Sequence, residues 1–232
     1  MAEKIKYTRK DLKGPDEFIS AFSRAVAWTR ENRLKMLAAA GCVLLLLCGV
    51  FGAQAYFRWQ ESKATRDLWP HLNSAREYLQ ATSGADEEKL AGMEQFLAAY
   101  LNLHPGTSSA VYARYYLGSI AFLRGKYDQS AAQYHAAMKE SKVEEVMPFL
   151  LRLGLAQALE AKGDFAAASE AYREAVGAAS GELRTQARVG QARTLALSGR
   201  KQEADALYRQ VLTETADPRM KELIEIKLAQ AE

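Results

Sequence analysis

Histidines, cysteines and paired carboxylates are the side chains from which metal sites and acid–base centres are built, and here few stand in usable arrangements. The three histidines, His71, His104 and His135, occur singly, none with a second ligand three or four residues away on the same helical face. His135, beside Tyr134, reads as a surface or packing residue. Cys42 and Cys48 both fall in one uncharged stretch. Six residues apart is about 600° around a helix, so the two do not share a face and read as small apolar filler. The acidic runs Asp86-Glu87-Glu88 and Glu144-Glu145 suit helix starts, where negative charge meets the positive end of the helix dipole, better than a catalytic pair. No Gly-rich phosphate loop, G-x-S-x-G or H-E-x-x-H occurs. The expectation is a protein that is not an enzyme, holds no cofactor or metal, and acts through a surface.

The elements that would present such a surface fall into two parts. Met36 to Phe57 (MLAAAGCVLLLLCGVFGAQAYF) is 22 residues without a charge. As a helix it would be about 33 Å long, against a hydrocarbon core of roughly 30 Å. Leu37, Val43, Leu44, Leu45, Leu46, Leu47, Val50, Phe51 and Phe57 each favour insertion by about 0.3–0.6 kcal/mol. The stretch therefore reads as a single transmembrane helix. Residues 1–35 carry nine Lys and Arg against five Asp and Glu, and the remainder carries 22 against 23. By the positive-inside rule, Arg24, Arg30, Arg33 and Lys35 stay in the cytoplasm and the long C-terminal part lies on the other side. The near-neutral balance after the span also argues against nucleic acid, whose phosphates demand a basic stripe. A cleaved signal peptide is the competing reading, since Ala53-Gln54-Ala55 matches a cleavage site, but 35 residues is long for the region ahead of one.

The tail before the span carries Pro15, Asp16 and Glu17 as a helix start, then Phe18, Ile19, Phe22, Ala25 and Val26 at helical spacing. It is either a helix lying on the inner leaflet or one running straight into the span. After the span the pattern stays helical, with Pro70 expected to end or kink the first segment near Leu68. A new helix with Leu72, Ala75, Tyr78 and Leu79 on its apolar face is expected to follow, stopping near Gly84. No alternating apolar–polar run marks a strand.

Three segments share one word: RGKYDQSAAQYHAAM (124–138), KGDFAAASEAYREAV (162–176) and GRKQEADALYRQVL (199–212). They align on Gly125, Gly163 and Gly199. Tyr134, Tyr172 and Tyr208 follow nine residues on, then Ala137, Ala175 and Val211. Leu117, Gly118 and Ala121, and then Leu155, Ala156 and Leu159, precede the first two glycines. The pattern predicts helix, glycine turn, helix, with small residues where helices cross and an aromatic filling the gap. These words resemble the tetratricopeptide repeat of 34 residues, with Lys201 in the third at the aromatic site of Tyr127 and Phe165. A degenerate earlier repeat is expected, its second helix over 89–107 and ended by Pro105-Gly106, and Pro218–Glu232, with Leu223, Ile224, Ile226 and Leu228, is expected to cap the stack. The fold expected is all-α: one transmembrane helix followed by a tetratricopeptide-like helical-repeat solenoid. Its parts are a cytoplasmic tail (1–35), a span (36–57), a helical connector (58–84) and repeats with a capping helix (85–232).

In stacked repeats the first helix of each pair lines a groove. Here those helices would present Tyr112, Tyr115, Ser119 and Phe122, then Leu153, Gln157 and Glu160, then Gln186, Val189 and Arg193, a surface suited to a peptide. The opposite reading buries Tyr115 and Phe122 against the preceding pair.

The DEFISAFSRAVAWTRENR tail, the uncharged span followed by YFRWQ, and the HPGTSSAVYARYYLGSIAFLRGKYDQSAAQY block together resemble the ancillary subunits of the bacterial Sec translocon. That resemblance implies a single-pass inner-membrane protein with a cytoplasmic N-terminus and a periplasmic repeat domain. It further implies protein partners, namely the Sec translocon and periplasmic chaperones, and no small-molecule substrate. A scaffold for outer-membrane assembly or cell division, and a regulatory subunit of a membrane transporter or enzyme, are the alternatives.

Overall fold

The computed structural model describes residues 14–80, 86–140 and 146–229, leaving aside the side chains of 14–19, 21, 74 and 77–80. Every regular element among them is a helix. The chain divides into two compact units, Met1–Arg58 and Trp59–Glu232.

The first unit holds α1 (Gly14–Glu31) and the start of α2 (Arg33–Gln80). A single turn residue, Asn32, separates them; its N–H donates to the Trp28 carbonyl and its own carbonyl accepts from Met36 N–H. Trp28 and Phe22 are exposed, and so is every side chain of the apolar run from Met36 to Phe57 apart from the half-buried Gly41. This is the one helix among the described residues long and apolar enough to cross a membrane.

In the second unit, α2 does not end at Pro70, the first of the two outcomes expected there: the proline lies inside the helix. Proline removes one helical hydrogen bond, but Ala64, Leu68, Leu72 and Ala75 keep one buried stripe in phase through it, with Pro70 on the exposed side. Packing of that stripe outweighs the lost bond. No separate helix starts after it, and of the apolar face expected there, Leu72 and Ala75 are buried. The side chains of Tyr78 and Leu79, and Gly84 altogether, fall outside what is described.

The repeat helices follow in sequence: α3 (Glu87–Leu103), α4 (Ser108–Leu123), α5 (Tyr127–Met138), α6 (Met147–Lys162), α7 (Phe165–Gly177), α8 (Gly181–Leu197), α9 (Lys201–Glu214) and α10 (Pro218–Ala229). The starts of α3, α4 and α7 follow capping side chains. Asp86 accepts from Glu88 and Lys89 N–H at 3.1 and 3.3 Å, with Glu87 and Glu88 in the first turn, and Thr107 and Asp164 cap α4 and α7 in the same way. Glu144-Glu145 lies outside the described residues. The ends of α4, α6 and α8 share one construction. Gly125, Gly163 and Gly199 take φ of 70°, 90° and 85°, and the next N–H reaches back five residues to Ala121, Leu159 and Leu195 at 2.9 Å. That is a Schellman turn three times over, and its left-handed residue is why glycine recurs there.

Consecutive helices from α3 to α10 pack as neighbours. One core joins Ala64, Leu68 and Leu72 of α2 to Leu90, Leu97 and Tyr100 of α3 and to Leu117 and Ile120 of α4; a second spans α4 to α7; a third joins α8, α9 and α10 through Leu195, Tyr208, Val211 and Ile224. The capping helix therefore docks chiefly through Ile224, while Leu223 and Ile226 remain exposed. Two cross-links fasten α2 to its neighbours, one to α3 and one to the start of α4. Tyr100 O–H donates to the Ala64 carbonyl at 2.9 Å, and the Glu61 carboxylate accepts from Ser108 N–H at 2.9 and 3.1 Å.

Candidate functional site

The recurring tyrosines are seated on glycines. Tyr134 of α5 lies between Gly118 of α4 and Gly154 of α6, so closely that a Cβ on Gly154 would stand 2.5 Å from the ring; at Gly190 of α8 a Cβ would stand 2.4 Å from the Tyr172 ring. Gly154 and Gly190 each sit nine residues before a turn glycine. Each tyrosine thus passes from the second helix of one repeat to the first helix of the next, and its ring is buried while its hydroxyl reaches the edge of the junction.

At the first junction that edge is open. A cleft of about 300 Å³ is lined by Tyr115, Tyr116, Ser119, Phe122 and Leu123 of α4, Tyr134 of α5, Leu150, Leu153, Gly154 and Gln157 of α6, and Arg76 of α2. Its walls are largely aromatic: Tyr115 packs edge-on against Tyr116 with ring centres 5.4 Å apart, and it lies 5.9 Å from Tyr134. Ser119 Oγ donates to the Tyr115 carbonyl at 3.1 Å, which leaves the Tyr134 hydroxyl to donate to Ser119 Oγ, also at 3.1 Å. Burial raises the pKa of Tyr115 and Tyr116 and pushes Tyr134 up to about 12. All three phenols are therefore neutral donors at physiological pH and unsuited to act as bases. Among the described residues Arg76 is the single charged side chain on the cleft.

At the second junction the equivalent edge is occupied. The Tyr172 hydroxyl donates to Glu160 Oε2 at 2.8 Å, and Arg193 grips the same carboxylate with Nε and Nη2 at 2.6 and 2.7 Å. Burial alone would raise the Glu160 pKa, but the Arg193 and Tyr172 hydrogen bonds outweigh it and leave it lowered. The Arg193 guanidinium is held protonated by Glu160, and burial with the neighbouring carboxylate raises Tyr172. Tyr208, the third recurring tyrosine, lines a smaller cleft of about 210 Å³ with Arg193, Lys201 and Lys227.

Of the side chains expected on a groove, Tyr115, Ser119, Phe122, Leu153 and Gln157 come together in the first cleft. Glu160 and Arg193 meet each other instead. Tyr112 is half-buried against the first and second cores, Val189 against the third, and Gln186 is exposed. Sequence reasoning missed Arg76, Tyr116, Leu123, Leu150 and Gly154 as cleft residues, and took Tyr134 for internal filler. The repeated glycine nine residues ahead of the turn was an available signal for Gly154. Arg76 had none, since it comes from a helix outside the aligned repeats. The histidines are separate: His71 stacks on Phe96 with ring centres 3.8 Å apart, buried His104 sits 3.4 Å from Asp67, and His135 is exposed. Among the described residues no group of three His, Cys, Asp or Glu could hold a metal.

No curated protein matches this sequence. Among solved structures, the chain is similar to the nearly identical TPR-like repeats attributed to a kinesin light chain of Podospora anserina, with a TM-score of 0.61 and 21% identity over 72% of this chain and 85% of that one. At that identity the likeness speaks to the fold: helical TPR-like repeats. The family model of the tetratricopeptide repeat-like domain matches residues 27–232, nearly the whole chain. With the three Schellman turns and the glycine-seated tyrosines, that match assigns the chain to the tetratricopeptide repeat-like domain family.

Proposed function

We propose that this protein is a membrane-anchored, non-catalytic scaffold. Residues 36–57 cross the inner membrane once, residues 1–35 remain in the cytoplasm, and the repeats from 85 onward stand in the periplasm on the connector 58–84. There the domain binds protein partners beside the Sec translocon and links it to periplasmic folding helpers. One observation carries the reading: a helix whose uncharged run is exposed along its length, with Leu45 and Leu46 at 73% and 70%, precedes a TPR-like stack in one chain. A water-soluble protein rarely exposes so continuous an apolar surface, and a bilayer is the medium that covers it. The excess of positive charge ahead of the run supports the orientation. The likeness of the tail, span and first repeat block to translocon ancillary subunits supports the location.

The test is membrane fractionation followed by capture. The full chain should resist carbonate extraction, its C-terminal domain should be digested by protease only in spheroplasts, and translocon subunits should co-purify with it in mild detergent. Release by osmotic shock, with a new N-terminus after Ala55, would overturn the anchor. Recovery of outer-membrane assembly factors in place of the translocon would overturn the location.

A further inference from the structure

The first cleft has a chemical polarity that the repeat pattern does not require. Apart from the Ser119 hydroxyl and the Gln157 amide its lining is apolar or phenolic, and among the described residues it holds no carboxylate and one charge, the Arg76 guanidinium. Arg76 makes no ion pair among the described residues. The other arginines of the repeat helices commonly do: Arg114 with Glu140, Arg124 with Glu87 and Glu94, Arg152 with Glu174, Arg188 with Glu214 and Arg193 with Glu160. A cation with no counter-ion among the described residues, at the lip of a low-dielectric aromatic wall, sets up a local field that favours an anion. A guanidinium binds a carboxylate through two parallel hydrogen bonds, which fixes orientation as well as charge. About 300 Å³ is at the lower end for ligand pockets, enough for one bulky side chain and its neighbours. The rim supplies the Gln157 amide and the Tyr116 phenol, the donors and acceptor that an extended backbone uses.

We infer that this cleft takes a short extended protein segment in which a bulky apolar side chain lies within a few residues of a carboxylate, the apolar group entering between Tyr115, Phe122 and Leu153 and the carboxylate meeting Arg76. This rests on the scaffold reading above and names the chemistry of what the scaffold holds. Charge complementarity selects the occupant. A neutral apolar peptide leaves Arg76 without a counter-ion.

The experiment uses the full chain in lipid nanodiscs and three fluorescein-labelled nonapeptides read by fluorescence anisotropy. The first is Gly-Ser-Asp-Phe-Glu-Leu-Asp-Ser-Gly, the second has its acids replaced by their amides, and the third has its Phe and Leu replaced by Ser. The first should bind at least about tenfold tighter than either of the others, as loss of a charge-assisted bidentate contact implies. Arg76→Glu should erase the preference for the acidic peptide, and Phe122→Gln should weaken binding of every peptide. Phe122 also packs on Tyr127 at 5.6 Å, so Leu153→Gln serves as a second cleft variant, each checked for unchanged helicity. Equal binding of acidic and amide peptides, lost in both cleft variants, would overturn the carboxylate inference and leave a protein-binding cleft standing. No binding by any peptide, or binding indifferent to Arg76, Phe122 and Leu153, would overturn the inference and the cleft together.

Discussion

The two junctions around Tyr134 and Tyr172 are built from the same backbone parts and end in opposite surfaces. Each places a tyrosine from a second helix onto a glycine of the following first helix, flanked by the position three residues before one turn glycine and the position six before the next. At the first junction those flanking positions hold Phe122 and Gln157; at the second they hold Glu160 and Arg193. The first pair has no strong mutual attraction, and the junction stays open as an aromatic cleft. The second pair closes on itself and on the tyrosine hydroxyl. Within a repeat the glycine and tyrosine positions set the stacking, and the flanking pair sets whether the seam is a binding surface or a clasp.

The largest effect that separates the junctions should come from filling the glycine seats. Overpacking costs about 1–3 kcal/mol, and alanine returns up to about 1 through helix propensity. Gly190→Ala should lose about 2 kcal/mol in urea unfolding, because Glu160 and Arg193 hold Tyr172 in place. Gly154→Ala should lose about half that, because the Tyr134 ring borders open space into which it can shift. Equal losses would break the distinction between a clasped and an open seam.

Arg193→Gln should cost about 1 kcal/mol at pH 7, a figure kept low because the arginine side chain is 45% exposed. The pH dependence sharpens it. The folded Glu160 pKa lies below its ordinary 4.5, so its contribution is complete above that value and is lost as the pH falls through the ordinary carboxylate range toward the folded value. Stability measured from pH 7 down to 3 should fall less steeply for Arg193→Gln than for the parent, and parallel curves would remove the clasp from the account.

The smallest change in stability, under about 1 kcal/mol, is expected from moving the clasp into the first junction with Phe122→Glu and Gln157→Arg together. Its consequence for binding is larger: the acidic peptide should no longer be held. A double-mutant cycle should give a favourable coupling of about 0.5–1 kcal/mol, and zero coupling would mean that the backbone around Tyr134 does not bring these positions together as it does around Tyr172.

Much of this architecture was legible in the residues. A recurring glycine with a tyrosine nine positions on announces a Schellman turn and a gap-filling ring, since both are local requirements of backbone and volume. The start of α3 at Asp86 was legible for the same reason, as a capping carboxylate acts within one turn. The proline at position 70 misled, because a single missing hydrogen bond is outweighed by a buried stripe visible only once α3 and α4 are packed against it. Five of the cleft side chains were legible as a first-helix face; their division into cleft and clasp was not.

The sequence by itself determined the helical repeats, their turns and the uncharged run of Met36 to Phe57, because periodicity, glycine and the lack of charge act over a few residues. Only the tertiary structure decided that Arg76 reaches the cleft of a later repeat and that Glu160 spends its charge on Arg193. Those partners are 33 or more residues apart, and at such separation the fold, and not the local chain, sets which charges meet and which are left open to a partner.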